Sequence, residues 1–215
     1  MTERISPAQF HAVDGLADWR IVFTGASARF RTTSWVDAVA LVAAIGQLTL
    51  DSAEPPRVDL RPDGVLVRLS VPTEAGLRLS DIDTARAISD LARKVGATSQ
   101  PEATQVVQFT IDALVSTEVM PFWRAVLGYV ELGPEDLVDP NWSGPNIWFQ
   151  DQDEPRSQRN RIHVDVSVPP EVAPARIGAA LAAGGRLVRD RGPSWWTLAD
   201  AEGNEIDIAT WQGRG

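Results

Sequence analysis

Few side chains in this sequence can carry acid–base, nucleophilic or metal chemistry. The 215 residues include two histidines, His11 and His163, and no cysteine. Because there is no thiol, disulfides, thiolate nucleophiles and zinc–thiolate sites are excluded. Catalysis or ligand binding must therefore come from histidine, carboxylate and amide side chains.

Four polar residues in the second half stand between apolar neighbours, as Gln108 does between Val107 and Phe109. This alternation is typical of a β-strand with one covered face. The four residues are Gln108, Gln150, His163 and Asp207. We predict that their side chains lie on polar strand faces, where they line a wet pocket, bond to one another or hold an ion.

The charge of the chain restricts its partners. It has 29 acidic and 20 basic side chains, a formal net charge of −9. A net negative charge repels a phosphate backbone, so we expect no nucleic acid as a partner. The start MTERISPAQF lacks the features of a signal peptide, and no apolar run approaches the ~20 residues of a membrane-spanning helix. We expect a cytoplasmic protein, with a small molecule as its partner and no membrane.

The first half contains two helix patterns and a strand pattern. Residues 34–47 have apolar side chains at helical spacing. The core-facing stripe predicted for this helix is Trp35, Val39, Val42 and Ala43. Residues 65–71 alternate as in a strand of an antiparallel sheet. A second helix is predicted over residues 80–96, with Ser80 and Asp83 in its capping positions.

A short polar segment, residues 96–104, contains small residues and a proline. Such a composition is typical of a linker, so we predict a first domain over residues 1–98 and a second over residues 105–215. In the second domain a strand, a helix and short strands are followed by the same order again. This internal duplication predicts two modules packed into one domain.

Two motifs in the second half carry a family resemblance. They are WFQDQDEPRSQRNRIHVDVSV at residues 148–168 and WWTLADAEGNEIDI at residues 195–208. Over residues 105–211 the chain resembles the glyoxalase, bleomycin-resistance and dioxygenase (vicinal oxygen chelate) superfamily, and within it the bacterial glyoxalase-like group. The resemblance implies paired βαβββ modules that form a cupped mixed sheet. With the antiparallel sheet and helices of the first half, the predicted class is α+β.

The resemblance also implies a site. In this superfamily up to four side chains facing the cup hold one divalent metal ion. The matching positions here are Gln108, Gln150, His163 and Asp207. Three oxygens and one nitrogen favour Mn²⁺ or Mg²⁺, with Zn²⁺ as the softer alternative. Beside a metal, Glu205 is the candidate base, while Trp148 and Trp196 are candidate apolar walls for a small ligand.

A further set of motifs lies in the first half: GLADWRI, ARFRT and PRVDLRPDGVLVRLSVPTEAGLRLSD. Over residues 10–95 the chain resembles the pterin-4a-carbinolamine dehydratases, which move protons with a His-His-Pro stretch and a later histidine. Here Glu54 and Pro55 replace the first two histidines and Pro72 replaces the third. Because proline exchanges no proton, we expect weak or no dehydratase activity. Glu54 and Asp81 are the candidate ligand-binding residues of this domain.

Three functions are compatible with these predictions. The first is a glyoxalase-like enzyme of lyase type that acts on a small carbonyl-containing or cyclic metabolite, with a divalent metal in its site. The second is a metal-free protein that binds a small molecule in the same cup, as resistance proteins of the superfamily do. The third is a 4a-hydroxytetrahydrobiopterin dehydratase with a degenerate site. A homodimer is expected from both resemblances.

Overall fold

The computed structural model describes residues 3–22, 25–69, 76–154, 164–168, 170–210 and 212. The chain divides into two compact units, Met1–Val106 and Val107–Gly215. In the part that the structure describes, no helix is long and apolar enough to cross a bilayer.

The first unit is an antiparallel sheet with helices packed on it. Its strands are β1 (Arg20–Val22), β2 (Gly25–Arg31), β3 (Arg57–Arg61), β4 (Gly64–Leu69) and β5 (Thr98–Ser99), and its helices are α1 (Pro7–His11), α2 (Trp35–Leu48) and α3 (Leu79–Lys94). The strands are ordered β1-β2-β4-β3, and β5 pairs with β2. The predicted antiparallel sheet covered by helices is confirmed.

The segment predicted as a linker joins this sheet in part. Thr98 and Ser99 pair with the end of β2, and the Gln100 N–H donates to the Arg29 carbonyl at 2.8 Å. A segment whose backbone N–H and C=O groups are hydrogen-bonded to a sheet belongs to the same structural unit as that sheet. The first unit therefore extends to Val106.

Two local predictions in the first unit were wrong. In α2 the buried residues are Ala38, Leu41 and Ile45, whereas Trp35 and Val39 of the predicted stripe are exposed. Helix α2 is apolar on several faces, so apolar spacing alone does not identify the face that packs.

Helix α3 begins one residue before the predicted Ser80. Its start is fastened by Asp81 instead of Ser80 and Asp83, because the Asp81 carboxylate accepts the Arg78 N–H at 2.8 Å. The rest of the helix packs as its sequence pattern indicates, with Ile82, Ala85, Ile88 and Ala92 buried.

The second unit repeats one βαβββ order. The first module contains β6 (Gln108–Ala113), α4 (Ser116–Leu127), β7 (Val130–Leu132), β8 (Asp136–Val138) and β9 (Asn146–Asp151). The second contains β10 (Val164–Ser167), α5 (Ala173–Ala182), β11 (Arg186–Arg191), β12 (Trp195–Ala199) and β13 (Glu205–Ala209). Their sheets are ordered β6-β9-β8-β7 and β10-β13-β12-β11. The duplicated modules and the α+β class are thus confirmed, with two four-stranded mixed sheets among the described residues.

One apolar core joins the two modules. Helices α4 and α5 pack against each other, and the core contains side chains from both helices and both sheets. Its fully buried members include Phe122, Leu137, Phe149, Leu198, Ile206 and Ile208. Each mixed sheet therefore has an apolar face in this core and a second, polar face.

Candidate functional site

The polar face of the first mixed sheet follows from the pairing of β6 with β9. Phe109 lies opposite Ile147 and Ile111 opposite Phe149, and both Ile147 and Phe149 belong to the core. Because side chains alternate along a strand, the intervening residues take the other face. They are Gln108, Thr110 and Asp112 on β6, and Asn146, Trp148 and Gln150 on β9.

Several polar side chains on this face bond to one another. The Gln108 amide Nε2 donates to Asp136 Oδ1 at 2.7 Å, and the Trp148 indole Nε1 donates to Glu135 Oε2 at 3.2 Å. Partial burial raises the pKa of Asp136, and the charge of Glu135 adds to this, while the hydrogen bond from Gln108 opposes it. Trp148 is half-buried on this face.

The structure does not bring Gln108 and Gln150 together. Gln108 lies opposite Asn146, whereas Gln150 lies opposite Asp112. The two glutamines are therefore four residues apart along the strands, which corresponds to about 13 Å. An ion held by oxygen ligands at about 2–2.6 Å requires its ligands much closer than this, and the Gln108 amide already bonds to Asp136.

The polar face of the second mixed sheet carries more charge. Val164 pairs with Ile206 and Val166 with Ile208, and these side chains face the core. Asp165 therefore lies directly opposite Asp207 on the other face of the sheet. Glu205, two residues before Asp207 on β13, shares that face.

Asp207 is half-buried, and within the described residues its carboxylate has no hydrogen bond or ion pair. His163, which directly precedes Val164 in the chain, lies outside the described residues. Sequence reasoning missed Asp165, although HVDV places it two residues after His163, with the strand alternation that identified the other candidates.

Trp196 lies on the apolar side of the sheet and not on the polar face. It pairs with Ile208 on β13 and packs against the core. A Cβ at Gly192 would be 2.6 Å from its ring, so the turn after β11 lies directly against Trp196. The half-buried Trp195 takes the polar face instead.

In the first unit, Glu54 and Asp81 are connected through Arg78, which sequence reasoning missed. The Arg78 guanidinium forms an ion pair with Glu54, and the Arg78 N–H donates to Asp81. The hydrogen bond from Arg78 to Glu54 raises the pKa of the guanidinium. The Glu54 side chain remains largely exposed, so these contacts fasten the start of α3. Pro72 lies outside the described residues.

Among the described residues, no group of three or more histidine, cysteine, aspartate and glutamate side chains is arranged to hold a metal ion. Asp165 and Asp207 are two carboxylates on neighbouring strands, and hard divalent ions prefer such oxygen ligands. Of these two, Asp207 is half-buried without a partner among the described residues, so it fits one position of a metal site on the second mixed sheet.

Comparison with known proteins agrees with this architecture for the second unit. Residues 108–209 match the family model of the glyoxalase-like domain. The second unit is therefore similar to a glyoxalase-like domain over these residues. The chain matches none of the curated proteins.

Each of the similar solved structures covers about half of this chain or less. A glyoxalase-related enzyme from Fulvimarina pelagi is 21% identical over 50% of this chain and 88% of its own, with a TM-score of 0.38. The fosfomycin resistance protein FosX from Listeria monocytogenes, solved with Mn(II), is 14% identical over 48% of this chain and 90% of its own, with a TM-score of 0.38. A transcriptional coactivator/pterin dehydratase from Brucella melitensis is 21% identical over 42% of this chain and 99% of its own, with a TM-score of 0.36.

Proposed function

We propose that the glyoxalase-like domain is a small-molecule enzyme of lyase type that holds a divalent metal ion at Asp207 and His163. The observation that carries this proposal is the position of Asp207, half-buried and directly opposite Asp165. A half-buried carboxylate without donors loses hydration that nothing replaces. A cation at Asp207 would relieve this cost.

The other predicted ligands receive less support. Gln108 donates its amide hydrogen to Asp136, and Gln150 lies four residues from Gln108 in the register. Amide oxygens are also weaker metal ligands than imidazole or carboxylate. We therefore limit the proposed ligands to His163 and Asp207 and take Asp165 as a neighbouring charge.

A bound divalent ion supplies Lewis-acid chemistry, which polarises a carbonyl or hydroxyl oxygen of a substrate. Glu205 shares the face of Asp207 and is half-buried there. A carboxylate in this position is suited to accept a proton from a substrate carbon or hydroxyl group. In this proposal Glu205 is the base, and its replacement by glutamine slows the reaction without displacing the metal.

A metal-free binding protein is the second candidate. The observation that favours it is the first mixed sheet, where Gln108 and Trp148 already have protein partners and the half-buried Trp148 offers a flat apolar surface. Such a face can hold a small molecule without an ion. The contacts of Glu54 and Asp81 are those of a helix start, and no described contact favours a dehydratase.

The full chain, purified without a histidine tag, is titrated with Mn²⁺. Electron paramagnetic resonance measures how much Mn²⁺ is bound at each step. A single site requires about one Mn²⁺ per chain. Asp207→Asn and His163→Ala are expected to weaken binding at least about tenfold, as loss of a metal ligand does. The matched controls are Asp136→Asn, the same change on the other polar face, and His11→Ala, the same change at the other histidine.

Equal loss in Asp207→Asn and Asp136→Asn would contradict the assignment of the site. If the wild-type chain binds no Mn²⁺, Mg²⁺ or Zn²⁺, the metal proposal fails and the metal-free candidate takes its place.

A further inference from the structure

Strand β11 concentrates positive charge at the edge of the second mixed sheet. Arg186, Arg189 and Arg191 lie within six residues of a chain whose net charge is −9. All three are exposed. Within the described residues none of them has an ion pair, in contrast to Arg124 of the same unit, which pairs with Glu131.

A β-bulge brings the three arginines to one face. Arg186 lies opposite Ala199, but the next arginine, Arg189, lies opposite Thr197, with a register shift between Leu187 and Arg189. Strict alternation would place Arg186 on the face opposite to Arg189, because the two are three positions apart. The extra residue, Val188, moves Arg186 to the face of Arg189 and Arg191.

The pairing of the strands aligns these arginines with the carboxylates of the proposed site. Arg189, Thr197 and Asp207 form one row across β11, β12 and β13. Arg186, Ala199 and Glu205 form the neighbouring row. In each row a small residue separates a guanidinium from a carboxylate, and the backbones of the outer strands are about 10 Å apart.

We propose that Arg186, Arg189 and Arg191 bind the anionic end of the substrate, a phosphate-like dianion, while the reacting end lies at Asp207 and Glu205. This inference rests on the proposed function of the same face. Guanidinium groups match the oxygens of such anions with two hydrogen bonds each. Three neighbouring positive charges repel one another, and a dianion compensates them better than a single carboxylate.

Protection of the sheet edge does not account for the arrangement. Charged side chains and bulges do guard edge strands against pairing with other chains. That purpose is served by arginines on either face, since both faces of an edge strand flank its free backbone. Bulges also re-aim side chains beside active sites, and here the bulge adds Arg186 to the row that ends at Glu205.

The rows also restrict the size of the substrate. Since the arginine and carboxylate strands are about 10 Å apart at the backbone, the anion and the reacting oxygen belong to one small metabolite. A reaction that attaches a phosphate group to a small metabolite must therefore supply this substrate.

The experiment follows the arginine Nε–Hε signals of the ¹⁵N-labelled full chain by NMR, without metal, during titration with inorganic phosphate and, separately, acetate at constant ionic strength. Phosphate is expected to shift the signals of the three β11 arginines at lower concentration than acetate. Arg189→Gln should weaken phosphate binding about tenfold, the usual effect of losing a charged hydrogen bond. Arg93→Gln, an equal charge change at an exposed site on α3, should leave it unchanged.

Equal shifts at all exposed arginines, or an Arg189→Gln variant that binds phosphate as the wild type does, would overturn the inference. Deletion of Val188 provides a second readout, because removal of the bulge should selectively abolish the phosphate shift of Arg186. Since no metal is present, these results are independent of the Mn²⁺ titration. If the wild-type chain binds no Mn²⁺, the proposed metal site is refuted. If the wild-type arginines do not respond to phosphate, only the anion site is refuted.

Discussion

The turn after β12 and the strand that follows it each contain an aspartate, but the two carboxylates differ in the hydrogen-bond donors around them. Asp200 is fully buried and accepts hydrogen bonds from Trp123 Nε1 at 2.9 Å, from the Asn204 N–H and side-chain amide at 2.8 Å each, and from the Glu202 N–H at 3.0 Å. Asp207, three residues beyond Asn204, has no such donor within the described residues. A buried acid that is surrounded by donors supports the fold, whereas a half-buried acid without donors is available to a ligand.

Glu202 is only half-buried, but it too has donors and supports the fold. Its carboxylate accepts the N–H groups of Leu114, at 2.8 and 3.0 Å, and of Val115, at 3.0 Å. Helix α4 starts at Ser116 and has no side-chain cap of its own, so a residue of the second module supplies the acceptor for the first. The turn thereby joins the two modules.

The largest effect is expected at the buried acid. Asp200→Ala leaves the Trp123 N–H and three other donors without an acceptor, which should lower the free energy of unfolding by about 3 kcal/mol. Urea unfolding of the full chain measures this loss in the free energy of unfolding. Trp123→Phe, which removes one of the donors and keeps a large ring, should cost less. A loss below about 1 kcal/mol for Asp200→Ala would contradict the structural role of this carboxylate.

A smaller effect is expected at the helix start. Glu202→Ala removes the acceptor for two N–H groups and the negative charge beside the positive end of α4, which should cost about 1 kcal/mol. Urea unfolding again provides the measurement, with Glu171→Ala, an exposed glutamate before α5, as control. If both variants unfold at the same urea concentration, Glu202 does not fasten the helix.

The smallest effect on stability is expected at Asp136. Its carboxylate is intermediate between those of Asp200 and Asp207, because it has one neutral donor and a raised pKa. Below the unfolded pKa, near 4, the group is protonated in both states and contributes no penalty. As the pH rises past that value, the unfolded chain ionises first, so the wild type loses stability relative to Asp136→Asn. Solvent screening limits the difference at pH 7 to a few tenths of a kcal/mol. Melting temperatures of wild type and Asp136→Asn at about pH 3, below the unfolded pKa, and at pH 7 test this. A difference between the two proteins that is larger at the lower pH would refute it.

Strand alternation allowed much of the second unit to be predicted from the sequence. It identified the face of Asp207, which stands between the core residues Ile206 and Ile208. It also identified the faces of Gln108 and Gln150, because the core residues Ile147 and Phe149 of these paired strands take the opposite face. It also identified the duplicated order of strands and helices. The face of α2 was not predictable in this way, since that helix is apolar on more than one side.

The register of the strands was beyond this kind of reasoning. Alternation gives the face of Gln108 and of Gln150 but not their offset, which depends on how the intervening chain returns β9 beside β6. The bulge at Val188 was hidden for the same reason, because an extra residue is visible only when the partner strand is known. Both features decide which polar groups meet on a face.

Asp207 is thus available to a cation, whereas Asp200 and Glu202 serve the fold. The most direct test of this claim is thermal unfolding of the wild type, Asp207→Asn and Asp136→Asn, each with and without Mn²⁺. A ligand that binds only the folded state raises its stability by about 2.7 kcal/mol at one hundred times its Kd. We predict that Mn²⁺ raises the Tm of the wild type and of Asp136→Asn but not of Asp207→Asn, which without metal should be at least as stable as the wild type. An equal rise in all three proteins, or none in the wild type, would contradict the claim.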